Sequence, residues 1–150
     1  MSDFKQLIAA DLACLIALEG ACFSSPWSEG QLKSFLGASP TRFVLGWFNP
    51  ELSGFAAFSV VLDEAELLQI GIHPAAQGCG NGRRLLKESL AILRQKGATR
   101  LYLEVRASNL AAIKMYQKVG FSKTGVRKSY YPPVERGCEP EDALLMSLVL

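Results

Sequence analysis

Apolar residues recur along this chain with two periods, and the switches between them mark its elements. From Leu101 to Arg106 the alternation is strict: Leu101, Leu103 and Val105 fall on one face, Tyr102, Glu104 and Arg106 on the other. That pattern predicts a half-buried strand. Upstream, Leu85, Leu86, Ser89, Leu90 and Leu93 recur at helical spacing, and Gly97 follows as a stop. They predict a long helix with one buried stripe. The apolar stretch Glu66–Ile72 before it reads as a strand.

The rest of the chain follows the same logic. A short strand is predicted over Phe4–Ile8. Asp11 is placed to cap a helix reaching Ala21, with Leu12, Leu15, Ile16 and Phe23 on its apolar side. Ser28-Glu29-Gly30-Gln31 has capping-box form, with Trp27 and Leu32 at the staple positions, and this second helix ends near Gly37. Phe43–Phe48 and Phe55–Leu62 predict strands separated by turns at Asn49-Pro50 and Ser53-Gly54. Ser108 or Asn109 caps a further helix that stops at Gly120. Strands over Phe121–Ser129 and Ala143–Val149 close the chain. Two helices, a meander, then strand–helix–strand–helix and a last strand pair predict an α/β fold of mixed α+β type. Its sheet has a parallel crossover in the middle and antiparallel neighbours on both sides.

Composition narrows the function classes. A length of 150 residues suits one domain, 1–150, with its own core, and 49% apolar residues argue against disorder. A net charge of +2 without a lysine/arginine run gives no nucleic-acid arm. No apolar run approaches the ~18 residues a membrane span needs, and the first residues lack the basic-then-apolar order of a signal peptide. Four scattered cysteines with no C-x-x-C pair read as reduced thiols, so the expected compartment is the cytoplasm. A single histidine, His73, leaves little for a zinc site or a Ser-His-Asp triad, and no metal is expected.

The chemistry concentrates in Gln77-Gly78-Cys79-Gly80-Asn81-Gly82-Arg83, between the Glu66–Ile72 strand and the long helix. Glycines let main-chain N–H groups approach an oxyanion, and a helix N-terminus adds partial positive charge. A triphosphate-binding loop would need Lys and then Ser or Thr after its last glycine, where Arg83 and Arg84 stand. A dinucleotide fingerprint would place its third glycine one residue later than Gly82. A plain turn ending in a helix cap is the competing reading of the loop.

Gln77-x-x-Gly80-x-Gly82 resembles the coenzyme A pyrophosphate motif of the GNAT superfamily of N-acetyltransferases. Leu103-Glu104-Val105-Arg106-Ala107-Ser108-Asn109, Ala112, Tyr116, Gly120-Phe121 and Ser129-Tyr130-Tyr131-Pro132 are similar to one branch, the bacterial ribosomal-protein-alanine N-acetyltransferases. So is Phe23-Ser24-Ser25-Pro26-Trp27-Ser28-Glu29, and the likeness covers nearly the whole chain. The resemblance implies a mixed, mostly antiparallel sheet of six to seven strands with about four helices, and a splayed parallel strand pair that binds acetyl-CoA. It implies direct acetyl transfer to the N-terminal alanine amine of a small-subunit ribosomal protein.

It also implies roles. Residues Gln77, Gly78, Cys79, Gly80, Asn81, Gly82 and Arg83 hold the pyrophosphate, Ile70, Gly71 and Ile72 run beside the pantetheine arm, and Asn109 helps orient it. Glu104 is the general base and Tyr116 the general acid. Trp27, Tyr130 and Tyr131 line the peptide groove. Each has a plainer reading: a bulge glycine for Gly71, a solvated carboxylate for Glu104, helix packing for Tyr116, an N-cap for Asn109, a staple for Trp27. Glu135, Glu139, Glu141 and Asp142 either attract a basic peptide or form a solvated face. The stretch between Tyr131 and Glu141 is longer than the resemblance leads one to expect. Competing functions are acetylation of another protein N-terminus or of a small amine, a non-catalytic acyl-CoA-binding module, and nucleic-acid binding. The oligomeric state expected is a monomer.

Overall fold

The computed structural model describes residues 3–37, 39–133 and 135–150. Its strands are β1 (Asp3–Gln6), β2 (Arg42–Phe48), β3 (Leu52–Val61), β4 (Glu64–Ile72), β5 (Arg100–Arg106), β6 (Ser122–Tyr131) and β7 (Glu141–Val149). Its α-helices are α1 (Leu12–Cys22), α2 (Glu29–Leu36), α3 (Asn81–Gln95) and α4 (Leu110–Val119). The strands form one seven-stranded sheet in the order β1-β2-β3-β4-β5-β7-β6. All pairs are antiparallel except β4–β5.

Alternation along the strands divides the core between the two faces. Phe43, Leu45, Ala56, Phe58, Leu101 and Leu103 pack with Leu85, Leu86, Leu90 and Leu93 of α3 and with Tyr116 of α4. Val44, Phe55 and Ala57 pack on the opposite face with Leu15 and Leu18 of α1 and Leu32, Phe35 and Leu36 of α2. Fully burying one such large apolar side chain contributes about 1.5–3 kcal/mol, so these two clusters fix which face each helix covers.

The parallel pair matters most for the site. Its pairing is confined to Glu64–Arg100, Ala65–Leu101 and Glu66–Tyr102. Beyond those residues β4 and β5 diverge, and a gap opens between Leu67–Ile72 and Leu103–Arg106. A bulge sits on β4 just there: Ala57 faces Gln69 while Phe58 faces Leu67, leaving Leu68 as the extra residue. A bulge changes the face that later side chains occupy. Here Ala65, Leu67, Ile70 and Ile72 all reach the α3/α4 side, although 67 and 70 differ by an odd number.

Helix ends are explained locally. Ser28 Oγ accepts from the Gln31 N–H (3.2 Å) and Gln31 Oε1 accepts from the Ser28 N–H (2.8 Å), a reciprocal capping box. Ser28→Ala is expected to cost about 1 kcal/mol and to lower Tm by roughly 2–4 °C in calorimetry. Gly97 has φ +90°, its N–H bonds to Arg94 O and the Ala98 N–H to Leu93 O, which completes a Schellman stop for α3.

Several sequence expectations need correction. Asp11 precedes α1 but gives it no side-chain cap; its Oδ2 accepts from the Ile8 N–H (2.8 Å), because a 3-10 turn over Ala9–Asp11 already leads into the helix. Ile16 lies on the exposed side of α1, and Leu18 and Glu19 are buried instead. That helix carries small and apolar residues all round, so spacing alone does not select its inner face. Ser53 and Gly54 belong to β3, where a Cβ on Gly54 would come within 2.7 Å of Ile72 Cδ1. Leu62 is in the β3–β4 turn with φ +56°, outside the strand. Tyr130 and Tyr131 are on β6, which continues past a bulge rather than ending at Ser129.

Candidate active site

The glycine loop, the start of α3, the end of β4 and one side of α4 enclose an open cleft of about 700 Å³. That is within the range of small-molecule and cofactor sites. Ile70, Gly71, Ile72, Gln77, Gly78, Gly80, Asn81, Gly82, Arg83, Asn109 and Tyr116, all singled out in the sequence, line it. Cys79 does not; its thiol is exposed.

Gly78 and Gly80 adopt φ +79° and +80°, the left-handed region that L side chains rarely adopt. They curl the chain so that it enters α3 with Gly80 as N-cap. Two side chains brace the curl: Gln77 Nε2 donates to Ile72 O (2.9 Å) and Asn81 Nδ2 donates to Ala76 O (2.8 Å). Both side chains are therefore engaged in holding the loop. Gly82 does something else. A Cβ there would lie 3.0 Å from Met115 Sδ, so this glycine permits close approach of α3 and α4. Gly80→Ala places a Cβ in the left-handed region and is expected to raise the Kd for acetyl-CoA roughly five- to tenfold in calorimetric titration.

Gly71 needs a different explanation from the one its sequence position suggests. The bulge lies at Leu68, and a Cβ on Gly71 would meet Phe55 at 2.8 Å and Cys22 Sγ and Phe23 at 3.2 Å. Gly71 is small because the end of α1 packs on it from the side opposite Ile70 and Ile72.

Asn109 caps α4, its Oδ1 accepting from the Ala112 N–H at 3.3 Å, and it lines the cleft as well. Tyr116 is buried at 6% exposure, packs on Phe121 and also reaches the cleft. Burial, and secondarily Tyr131, pushes its phenol up to about 12, so the hydroxyl keeps its proton at neutral pH.

Glu104 faces a second groove, lined also by Glu66, Tyr102, Thr124, Arg127 and Leu145. It does not share the cleft with Tyr116. On β5 Glu104 alternates with Leu103 and Val105, which pack toward α3 and α4, so it lies on the opposite face of the sheet. Tyr131 links it electrostatically to Tyr116, raising the Tyr116 phenol while its own is raised by burial and then by Glu104. Glu104 Oε1 is 3.3 Å from Arg127 Nε. The Arg127 guanidinium also sits 5.2 Å from the Tyr130 ring centroid, and Arg106 lies over Tyr131 at 4.6 Å. The two tyrosines meet edge to face at 5.1 Å. Trp27 packs on Phe35 (5.2 Å between rings) at the start of α2 and lines neither cavity.

Sequence reading missed several residues here. Glu66 stands next to the Glu104 groove, and its carboxyl is raised by burial first and by the Glu104 charge second. Lys114 and Lys118, four residues apart on α4, add positive charge to the cleft wall; their spacing was a usable signal. Arg106 pairs with Glu141 (3.6 Å), Lys128 with Asp142 (3.5 Å), and Asp142 accepts from the Ser129 N–H (2.9 Å). Asp142 thus braces the β6–β7 hairpin, while Glu141 ties β7 to the end of β5 through Arg106 and the Ser108 N–H.

The signature of the acetyltransferase (GNAT) family matches residues 12–121. This chain belongs to the GNAT acetyltransferase family. Over its full length it is 40% identical to the [ribosomal protein bS18]-alanine N-acetyltransferase of Haemophilus influenzae, covering 100% of both chains. It is 38% identical to the Escherichia coli K12 protein of that name, over 99% of this chain and 97% of that one. The crystal structure of the ribosomal-protein-S18-alanine N-acetyltransferase from Escherichia coli superposes with a TM-score of 0.89 at 36% identity, covering 99% of this chain and 94% of that one. The protein is an acetyl-CoA-dependent acetyltransferase with the mixed fold of that family, and the seven-stranded sheet with four helices agrees with the expectation. No helix among the described residues is long and apolar enough to cross a membrane.

Proposed function

We propose that this protein acetylates the α-amine of the N-terminal alanine of ribosomal protein bS18, and does so in the cytoplasm. The observation that carries the reading is full-length similarity to proteins of that name, together with a loop and cleft suited to a diphosphate-bearing cofactor. The whole chain, 1–150, acts as one catalytic domain.

Bound acetyl-CoA supplies a thioester whose carbonyl carbon an amine attacks, releasing a thiolate. The main-chain N–H groups of residues 78–83 bind the pyrophosphate at the α3 N-terminus, where no side-chain charge is needed. Lys114 and Lys118 add positive charge on the same wall. The backbone of Ile70–Ile72, left unpaired on its β5 side beyond Glu66, is free to bond an extended arm and to polarise a carbonyl. Glu104 takes the proton from the amine, directly or through a water, and Tyr116 returns one to the departing sulfur. The burden on Glu104 is small for this substrate. Neutralising an α-amine near pH 7 costs about 1 kcal/mol, against roughly 4–5 kcal/mol for a lysine. Tyr130, Tyr131 and Trp27, which line neither cavity, are assigned to the peptide by the family resemblance.

The deciding experiment uses purified protein and acetyl-CoA with three acceptors: a peptide with the bS18 N-terminus, the same peptide with its α-amine blocked, and a panel of polyamines and aminoglycosides. Thiol release and intact mass should show one acetyl group on the free N-terminus alone. Faster transfer to the small amines would replace this reading with the small-amine one. Acetyl-CoA binding without thiol release on any acceptor would mark a binding module.

A further inference from the structure

Glu19 is a charged residue with no part in the scheme above, and it is 1% exposed. It sits in the last turn of α1, where the helix dipole disfavours a carboxylate. Its Oε1 accepts from the Trp27 main-chain N–H at 2.8 Å and from Gln69 Nε2 at 3.1 Å. Glu19 Oε2 and Gln69 Oε1 are buried and receive no donor from the described residues. A residue selected for stability alone would not combine burial, an unfavourable helix end and unmatched acceptors.

Its position shows what it accomplishes. Gln69 follows the β4 bulge and immediately precedes Ile70–Ile72, so its side chain faces α1 while Ile70 and Ile72 pack toward the other side. Trp27 lies in the segment 23–28 that joins α1 to α2. Phe23 and Cys22 at the start of that segment rest on Gly71. The α1–α2 connection is therefore fastened to the back of the cofactor strand at two points: by packing at Gly71 and by one carboxylate oxygen at Gln69.

We propose that Glu19 is a positioning residue for acetyl transfer, holding the Trp27 segment, one wall of the peptide groove, at a fixed distance from β4. This rests on the acetyltransferase reading of the cleft. It rests also on the proposed role of Trp27 as a peptide wall: Glu19 lines neither cavity and acts through the Trp27 N–H it accepts from.

Three variants and two readouts test it. Glu19→Ala should raise the KM for the acceptor peptide about tenfold, with the KM for acetyl-CoA within about twofold of wild type, because one lost buried acceptor frees the Trp27 N–H and the Gln69 amide together. Hydrogen exchange at the Trp27 amide, followed by NMR, should accelerate about tenfold. Glu19→Gln keeps an acceptor for the Trp27 N–H and gives the pair a donor it lacks, so it should stay within about threefold of wild type in both. Should Glu19→Ala not fold, Gln69→Ala must show the same rise in peptide KM with acetyl-CoA KM preserved. Unchanged peptide KM, unchanged Trp27 exchange, or a Gln variant as impaired as the Ala variant would each overturn the assignment. The exchange readout needs no turnover, so it stands apart from failure of the acetyltransferase reading, which would appear as a wild-type protein inert toward every amine.

Discussion

Glu104→Gln is expected to lower kcat by about 10²- to 10⁴-fold, the range for losing a general base, while acetyl-CoA binds as before. The separation follows from geometry. Glu104 lines one groove, and the glycine loop and α4 line a separate cleft. An amide is the same size as the carboxylate, so Arg127 and the groove keep their places while the proton acceptor is lost. Single-turnover rates at saturating acetyl-CoA, with Kd measured by titration, separate the two effects. Glu66 provides the internal control. Its carboxyl is raised by burial and by the Glu104 charge beside it. If Glu66 were the base, Glu66→Gln would be the slow variant and Glu104→Gln would keep wild-type turnover.

Tyr116→Phe is expected to slow turnover by about 10²-fold, again without weakening acetyl-CoA binding. A phenol pushed up to about 12 is fully protonated at pH 7 and can donate but not accept a proton there. The same shift has a consequence for stability, and its sign is fixed. The native value lies above the unfolded one of about 10, so the contribution is complete below pH 10 and is lost as pH rises toward about 12. That gap is worth about 2–3 kcal/mol at its alkaline limit. Urea unfolding at pH 9 and pH 11 should show wild type losing stability that Tyr116→Phe retains. The Tyr131 phenol is raised too, by burial first and then by Glu104, so the difference between the two proteins, not the wild-type curve alone, is the quantity to read. Equal pH dependence in both would remove Tyr116 as a buried acid.

The regular elements were legible because their signals are local. The strict alternation at Leu101–Arg106 needed only the period of a strand, and the Leu85–Leu93 stripe only that of a helix. Ser28 with Gln31, and Gly97 after α3, are caps whose geometry is set within a few residues. The glycine loop was legible for the same reason, and nearly every residue assigned to it lines the cleft. What failed were positions whose role is set from a distance. Asp11 has capping chemistry but meets a preceding 3-10 turn. Gly54 looks like a turn and is a strand residue kept small by Ile72. Gly71 looks like a strand bulge, yet the atoms that require it belong to Phe55, Cys22 and Phe23. Glu19 is one unremarkable glutamate in the sequence, and only folding brings it to Trp27 and Gln69, fifty residues away from the latter.

By itself, the sequence determined which segments are helices and strands, where the chain curls into the start of α3, and which residue types stand in that loop, because those properties depend on neighbours along the chain. Only the tertiary structure decided that β4 and β5 part company after Glu66 and Tyr102, that Glu104 and Tyr116 line separate cavities, and that α1 is fastened to β4. Those facts come from strand pairing, a single bulge and side-chain packing between segments remote in sequence, and no local pattern encodes them.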